Sequence, residues 1–250
     1  MKKILIATLS LIITLSASTF AYYHKEYDKQ YELYLGIKTY DNDVAYTLLA
    51  YFAENNNPKA LYELGTIHQR NGELEEALKV YKKSAELGYT EAQLKLAYIY
   101  RFEQEKYEEA IEWYRKAAEK GNSLAQISLA TIYERGKITQ QNYAESFRWY
   151  KKLADKDPHF LKKLAKMYEY GKGTKENKVK AYAIYYFDYI RGRMFDIYYQ
   201  IDFYNLSILD KEEKAKRNLD RLKRELTKEE VYKARLEASK YFERLLESSK

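Results

Sequence analysis

The sequence predicts an all-α protein: an α/α superhelix, or solenoid of helical hairpins, with a C-terminal helical cap. Two short segments recur in register along the chain, and each has the periodicity of an amphipathic helix. The chain has only 2 prolines and 9 glycines in 250 residues, few for an all-β chain rich in turns. Apolar residues make up 46%, which is enough for a sizeable core.

The first recurring segment is nine residues long and starts at residues 60, 92, 125 and 160, so its period is 32 to 35 residues. One copy is Ala-Gln-Leu-Lys-Leu-Ala-Tyr-Ile-Tyr, which ends at Tyr100. Its residues Leu96, Ala97 and Tyr100 are spaced i, i+1 and i+4, which places them on one face of a helix. We therefore predict a helix at every copy.

The second recurring segment follows the first at 76–85, 109–118 and 145–154, with a weaker copy at 180–185. In the second of these, apolar residues at i, i+3, i+4, i+7 and i+8 form the stripe of a surface helix. They are Ala110, Trp113, Tyr114, Ala117 and Ala118. Together the two segments predict repeats near 60–88, 92–121, 125–157 and 160–190.

Small side chains recur where the two helices of a hairpin have to cross closely. Helices approach to about 8 Å only when the facing side chains are small. The predicted contact points are Ala97, Ala118, Ala130 and Ala165. A single hairpin cannot bury both of its faces, so neighbouring hairpins are expected to stack into one continuous core.

Glycine and proline residues stand where the helices of the repeats are expected to end and to start. Gly88 and Gly121 follow the second segments, where a residue in the left-handed conformation ends a helix. Asp157 takes the same place in the third repeat, and we expect the same conformation there because Asp tolerates it better than most residues. Pro58 and Pro158 stand where new helices are expected to start.

The N-terminal residues 1–21 have the composition of a secretory signal peptide. Lys2 and Lys3 form a basic start, an apolar stretch follows, and Thr19-Phe20-Ala21 fits a small-residue cleavage site. An uncleaved membrane anchor is the alternative, because no charge occurs from Ile4 to Tyr23. The repeat solenoid is expected to occupy residues 22–190.

Residues 191–250 are predicted to form the helical cap. We expect a helix over 193–206 against the last repeat, a helix N-capped by Asp210, and a last helix started by Thr227 and Glu230, which have capping-box spacing. The alternative is a coiled coil that dimerises or binds a partner.

The residues from Ala110 to Gly121, AIEWYRKAAEKG, carry a resemblance to a known family. They match the pattern A-x-x-W-Y-x-x-A-A-x-x-G of the Sel-one-like repeats, a relative of the tetratricopeptide repeats. The segment YGKGT at 170–174 resembles the loop of that family. The resemblance covers about residues 45–190, and it implies an adaptor or scaffold that binds other proteins.

The sequence offers no constellation for catalysis or for a cofactor. There is no cysteine, which excludes disulfides and thiolate metal sites. The three histidines lack metal-binding spacing, and His68 is interpreted as a helix-packing residue. The glycines at 171–173 lack the spacing and the preceding strand of a phosphate loop. We expect no enzyme activity, no cofactor and no metal.

The net charge is +7, but Glu and Lys alternate along the helical stretches, which is typical of solvated helix faces. Together with the predicted export, this argues against nucleic acid as a partner. The expected partner is a protein; contact with a membrane is expected only if the N-terminal segment is retained, and the oligomeric state stays open.

Five polar or aromatic residues beside the core stripe of the first helices are predicted to bind the partner: Tyr98, Arg101, Thr131, Arg135 and Lys166. Tyr and Arg are enriched at protein-binding hot spots. The predicted function is an exported scaffold for protein–protein interaction, periplasmic or secreted. The alternatives are a peptidoglycan-acting or glycan-binding envelope protein, and a membrane-anchored regulator of a sensor protein.

Overall fold

The computed structural model describes residues 20–38, 42–199 and 206–248, and the chain divides into unit 1, which ends at Gln104, and unit 2, which begins at Glu105. Throughout the described ranges all regular structure is helical: twelve α-helices, one 3-10 turn and no strand. The helices pack in chain order within each unit, which confirms the predicted all-α repeat solenoid. Most of the predicted signal peptide, residues 1–19, lies outside the described residues.

Unit 1 holds helices α1 to α5. Their bounds are Phe20–Lys38 (α1), Asn42–Glu54 (α2), Pro58–Arg70 (α3), Leu74–Glu86 (α4) and Thr90–Phe102 (α5). The first helix contacts both α2 and α3. Tyr31 of α1 donates a hydrogen bond of 2.9 Å to Glu63 of α3, and the buried Asn57 caps α3 while its amide donates to the Tyr27 carbonyl at 3.2 Å. The N-terminal helix is thus tied to the first predicted repeat.

Unit 2 holds helices α6 to α12. Their bounds are Tyr107–Glu119 (α6), Ser123–Arg135 (α7), Tyr143–Ala154 (α8), Leu161–Glu169 (α9), Lys178–Tyr199 (α10), Leu206–Lys223 (α11) and Lys228–Ser248 (α12), with the 3-10 turn Pro158–Phe160 before α9. We call α3, α5, α7 and α9 the first helices and α4, α6, α8 and α10 the second helices. The boundary between the units falls inside the predicted repeat 92–121.

The alanines predicted at close helix crossings are buried. Ala97, Ala130 and Ala165 have no exposed surface, and Ala118 is 1% exposed. The equivalent residue of the first repeat is Gly65, and a Cβ atom built there would lie only 2.7 Å from Cε1 of Tyr81 on α4. The α3–α4 hairpin is therefore packed so closely that even a methyl group at Gly65 would displace the tyrosine ring.

Two buried glutamines join a second helix to the first helix that follows it. Gln93 of α5 donates its side-chain amide to the Ala85 carbonyl of α4 at 3.1 Å, and Gln126 of α7 donates to the Ala118 carbonyl of α6 at 2.9 Å. Both glutamines occupy the second position of the nine-residue segment. The same carbonyls also accept the backbone amides of Gly88 and Gly121 at 3.0 Å, so each glutamine adds a second donor to a carbonyl in the last turn of a helix.

The glycine turns are confirmed, whereas the prediction for Asp157 is wrong. Gly88 and Gly121 have φ of 91° and 90°, in the left-handed region. Asp157 is extended instead, with φ of −133°, and its carboxylate accepts a 2.9 Å bond from the His159 amide. The physical reason is Pro158: the proline ring disfavours helical backbone at the preceding residue.

The cap was predicted in part. The capping box is present, since Glu230 accepts from the Thr227 amide at 2.8 Å and Thr227 Oγ1 accepts from the Glu230 amide at 3.2 Å. Asp210 is not an N-cap, because α11 already begins at Leu206. Of the predicted helix over 193–206, residues 193–199 form the end of α10, which runs through residue 190 to Tyr199, and Leu206 begins α11. Residues 200–205 lie outside the described residues.

The cap helices share one hydrophobic core with the last repeat. Leu222 of α11 and Ala234 of α12 are fully buried in the same cluster as Leu164 of α9 and Ile184 of α10. The apolar stripes of α11 and α12 are therefore occupied within the chain, which favours the capping interpretation over a coiled coil.

Candidate partner-binding surfaces

A tyrosine of the second helix is hydrogen-bonded to the end of the first helix in three repeats. Tyr81 donates to Gln69 at 3.2 Å, Tyr150 to Glu134 at 3.2 Å and Tyr185 to Glu169 at 3.0 Å. Burial, with the charge of Glu169 adding to it, raises the pKa of Tyr185 above its ordinary value, so this tyrosine stays a neutral donor. These repeat tyrosines hold the hairpins together.

The acceptor in each of these bonds is the tenth residue counted from the start of the recurring segment. In the repeat that begins at residue 92 this position holds Arg101. A guanidinium has five donors and no acceptor, so it cannot accept a proton from a tyrosine. Arg101 therefore cannot accept the tyrosine hydrogen bond that joins the two helices in those three hairpins.

Arg101 instead belongs to an exposed aromatic cluster on α5, which we call the α5 cluster: Tyr98, Arg101 and Phe102. The Arg101 guanidinium lies 4.6 Å from the Phe102 ring centroid, and the rings of Tyr98 and Phe102 are 4.8 Å apart. Tyr98 is 50% exposed and Phe102 is 56% exposed. Two neighbouring aromatic rings and a stacked arginine on the surface have the composition of a protein-binding hot spot.

The other three predicted binding residues lie in unit 2, and they differ in how far they are exposed. Thr131 of α7 is half-buried and hydrogen-bonds Tyr150, as Thr66 bonds Tyr81 in unit 1. Arg135, at the end of α7, and Lys166 of α9 are exposed. Among the described residues neither of these two cations has a carboxylate within ion-pair distance.

The two carboxylates at the tenth repeat position in unit 2 are already engaged. Glu134 pairs with Lys163 of α9 at 2.5 Å, which links the first helices α7 and α9. Glu169 is 3% exposed and pairs with Arg221 of α11, which ties the cap to the last repeat. Neither carboxylate is therefore available to balance the exposed cations.

Sequence analysis missed two exposed aromatic residues, Phe102 and Tyr170. Both stand at the eleventh position of the recurring segment, and Tyr170 is 59% exposed. The position lies beyond the nine residues that align between repeats, so the pattern did not draw attention to it. The available signal was spacing: Phe102 follows Tyr98, and Tyr170 follows Lys166, by four residues, which is one helical turn.

Two of the three histidines and the glycine loop have local partners. His68 pairs with Glu73 at 2.5 Å, and His159 pairs with Asp157 at 2.6 Å. Gly173 has a φ of 76°, and a Cβ atom there would meet the Tyr143 carbonyl oxygen at 1.9 Å, so this loop is closely packed on the start of α8. No set of three metal-ligating side chains occurs among the described residues, and none of the described helices is long and apolar enough to cross a membrane.

Comparison with known proteins points to two related repeat types. The model of the tetratricopeptide repeat matches residues 41–88 and 62–125, and that of the Sel1 repeat matches residues 123–158 and 160–188. No curated protein sequence matches the chain significantly.

Two solved structures have the same fold. The Escherichia coli protein c5321, described as a protective antigen of uropathogenic strains displaying an SLR fold, is 26% identical with a TM-score of 0.55 over 87% of this chain. A Sel1 repeat protein from Oxalobacter formigenes is 29% identical with a TM-score of 0.54, over 66% of this chain and 70% of its own. The match covers 46% of the E. coli protein, so this chain spans less than half of its length.

Proposed function

Because the chain is a repeat protein of the Sel1 and tetratricopeptide type, we propose that it is an exported scaffold that binds another protein through its first helices. Repeat arrays of this kind offer extended surfaces built from successive helices. The proposal assigns no catalytic residue and no cofactor.

The observation that carries the proposal is the α5 cluster. Large aromatic side chains bury much area on binding at a low cost in side-chain entropy, and arginine adds directed hydrogen bonds. Here Arg101 is already stacked on Phe102, so its rotamer is restricted before a partner arrives. Tyr98 and Arg101 thus supply the anchor, and Phe102 joins them. Thr131, Arg135 and Lys166 supply a second, more polar contact region in unit 2.

Export is supported by the N-terminal sequence. Lys2 and Lys3, the apolar stretch after them and the site at Ala21 have the order of a secretory signal. A cut after Ala21 would remove only the first two residues of α1, which begins at Phe20. The periplasm or the extracellular space is therefore the proposed location of the mature chain.

A photo-crosslinking amino acid placed at Phe102 tests the binding site in living cells. The matched control is the same amino acid at Leu74, which is 59% exposed in the same unit. We expect a discrete protein adduct from position 102 and none from position 74, and we expect Arg101→Ala to abolish it. Identical adducts from both positions, or measurable glycan turnover without any adduct, would overturn the scaffold.

The export proposal has its own test, which is the N-terminal sequence of the mature protein from fractionated cells. We expect a chain that starts after Ala21 in the periplasmic or the extracellular fraction. An intact N-terminus in the membrane fraction would favour the anchored regulator instead.

A further inference from the structure

The helix α9 carries an unbalanced row of lysines on its surface. Lys162 is half-buried, Lys166 is exposed, and they stand one turn apart on the same face. Within the described part of the chain no carboxylate lies within ion-pair distance of either amine. Like charges at this spacing disfavour the helix slightly, so the arrangement gives no stability of its own.

The acids that could have neutralised these lysines are committed elsewhere. On α9 the sole carboxylate is Glu169, which is buried and bonded to Arg221 and Tyr185. On the neighbouring first helix, Glu134 is taken by Lys163 and Tyr150. The α9 surface therefore has a positive potential that nothing described in unit 2 cancels at short range.

Two further side chains extend this surface. Arg135 ends α7, the helix linked to α9 by the Lys163–Glu134 pair, and it too has no carboxylate in reach within the described ranges. Tyr170 follows Lys166 by one turn and exposes an aromatic ring. The surface thus combines three cations with one aromatic residue.

From this charge pattern we infer that the α9 surface binds an extended acidic segment of the partner protein, with carboxylates on alternate residues. This inference rests on the proposed scaffold function. Lysines four residues apart are separated by about 6 Å along a helix. Alternate residues of an extended chain point to the same side and are about 6.6 Å apart, so a Glu-x-Glu segment places one carboxylate at each lysine.

The number and spacing of these cations disfavour a nucleic acid as the ligand. Duplex DNA carries one charge per about 1.7 Å of its axis, and its binding gains from many cations along a continuous track. A short row of three cations beside one aromatic ring matches two or three carboxylates better.

The test measures the affinity of the full chain for a fluorescent twelve-residue peptide of alternating glutamate and serine, at physiological salt. The double charge reversal Lys162→Glu with Lys166→Glu is expected to weaken binding at least tenfold. The matched control is Lys151→Glu with Lys175→Glu, which makes the same change in net charge at two exposed lysines of unit 2 and is expected to change affinity less than threefold. Unchanged thermal melting shows that both variants are folded.

Three results would overturn the inference: no measurable peptide binding, equal losses in both double variants, or tighter binding of an oligothymidylate than of the peptide. Failure of the scaffold itself is distinguished by the crosslink from position 102. If that adduct persists while the peptide does not bind, the acidic partner is wrong and the scaffold stands.

Discussion

The two side chains of the ion pair between Glu169 and Arg221 are buried to different extents. This difference predicts which substitution lowers the stability of the fold more. The side chain of Glu169 is 2% exposed, whereas that of Arg221 is 43% exposed. Removing one partner of a fully buried pair costs about 3–5 kcal/mol, and an exposed pair contributes about 0–1 kcal/mol. Arg221→Met leaves the buried carboxylate with only the neutral hydroxyls of Tyr185 and Tyr170, so we expect the free energy of unfolding of unit 2 to fall by about 2–3 kcal/mol, between those limits.

The opposite substitution is expected to be milder. Glu169→Gln leaves a guanidinium that water can reach, and the new amide oxygen still accepts the Tyr185 proton. The expected loss is about 1 kcal/mol, the net contribution of one ordinary hydrogen bond.

Tryptophan fluorescence during urea denaturation measures both variants selectively, because the only two tryptophans of the chain, Trp113 and Trp149, are in unit 2. Arg224→Met, at an exposed arginine beside α11, is the control and is expected to stay within about 0.5 kcal/mol of the parent. The reasoning fails if Arg221→Met costs no more than this control, or if Glu169→Gln costs more than Arg221→Met.

Four further outcomes follow from packing and burial. Gly173→Ala should destabilise unit 2 by more than about 2 kcal/mol, since it adds left-handed strain to a clash with the Tyr143 backbone, and circular dichroism melts check this. Ala118→Leu overpacks a fully buried site and should cost about 1–3 kcal/mol, while Trp113→Ala leaves a cavity and should cost about 3–5 kcal/mol. Melts in which both variants match the parent would contradict the packing. Burial raises the pKa of Tyr241 from 10.0 to about 12, so the folded chain keeps this proton longer than the unfolded one. Its contribution to stability is full below pH 10 and lost between pH 10 and 12; Tyr241→Phe should make denaturation midpoints fall less steeply there, and an unchanged slope would refute it.

The local sequence pattern was sufficient to predict most of the repeat helices. The stripes around Ala97 and Ala130 predicted α5 and α7 because helical periodicity depends only on residues within two turns. The same alanines predicted the buried crossings, since every repeat supplies its small residue at the same position. What the pattern could not supply was the exception at Asp157, where a neighbouring proline changed the backbone.

The cap and the candidate surfaces were harder to predict because the residues that contact one another there are far apart in the sequence. Glu169 and Arg221 are 52 residues apart in sequence, and no spacing rule connects them. Arg101 was selected as a polar neighbour of the core, but the recurring pattern did not show that its guanidinium stacks on the ring of Phe102. Among the described residues Lys166 has no carboxylate within ion-pair distance because the nearby acids pair with residues of other helices, and spacing along the sequence does not show this.

The buried glutamines have a consequence for how such a chain changes in length. Gln93 and Gln126 make the same bond at equivalent junctions, to Ala85 and Ala118. Deleting residues 93–125 would bring Gln126 directly after Ala92, with the local sequence of the junction preserved. A duplication of the same stretch would likewise supply the new junction with its own glutamine. We therefore expect the fold to tolerate the gain or loss of one whole period at these junctions, whereas an insertion of a few residues would move the amide away from its carbonyl.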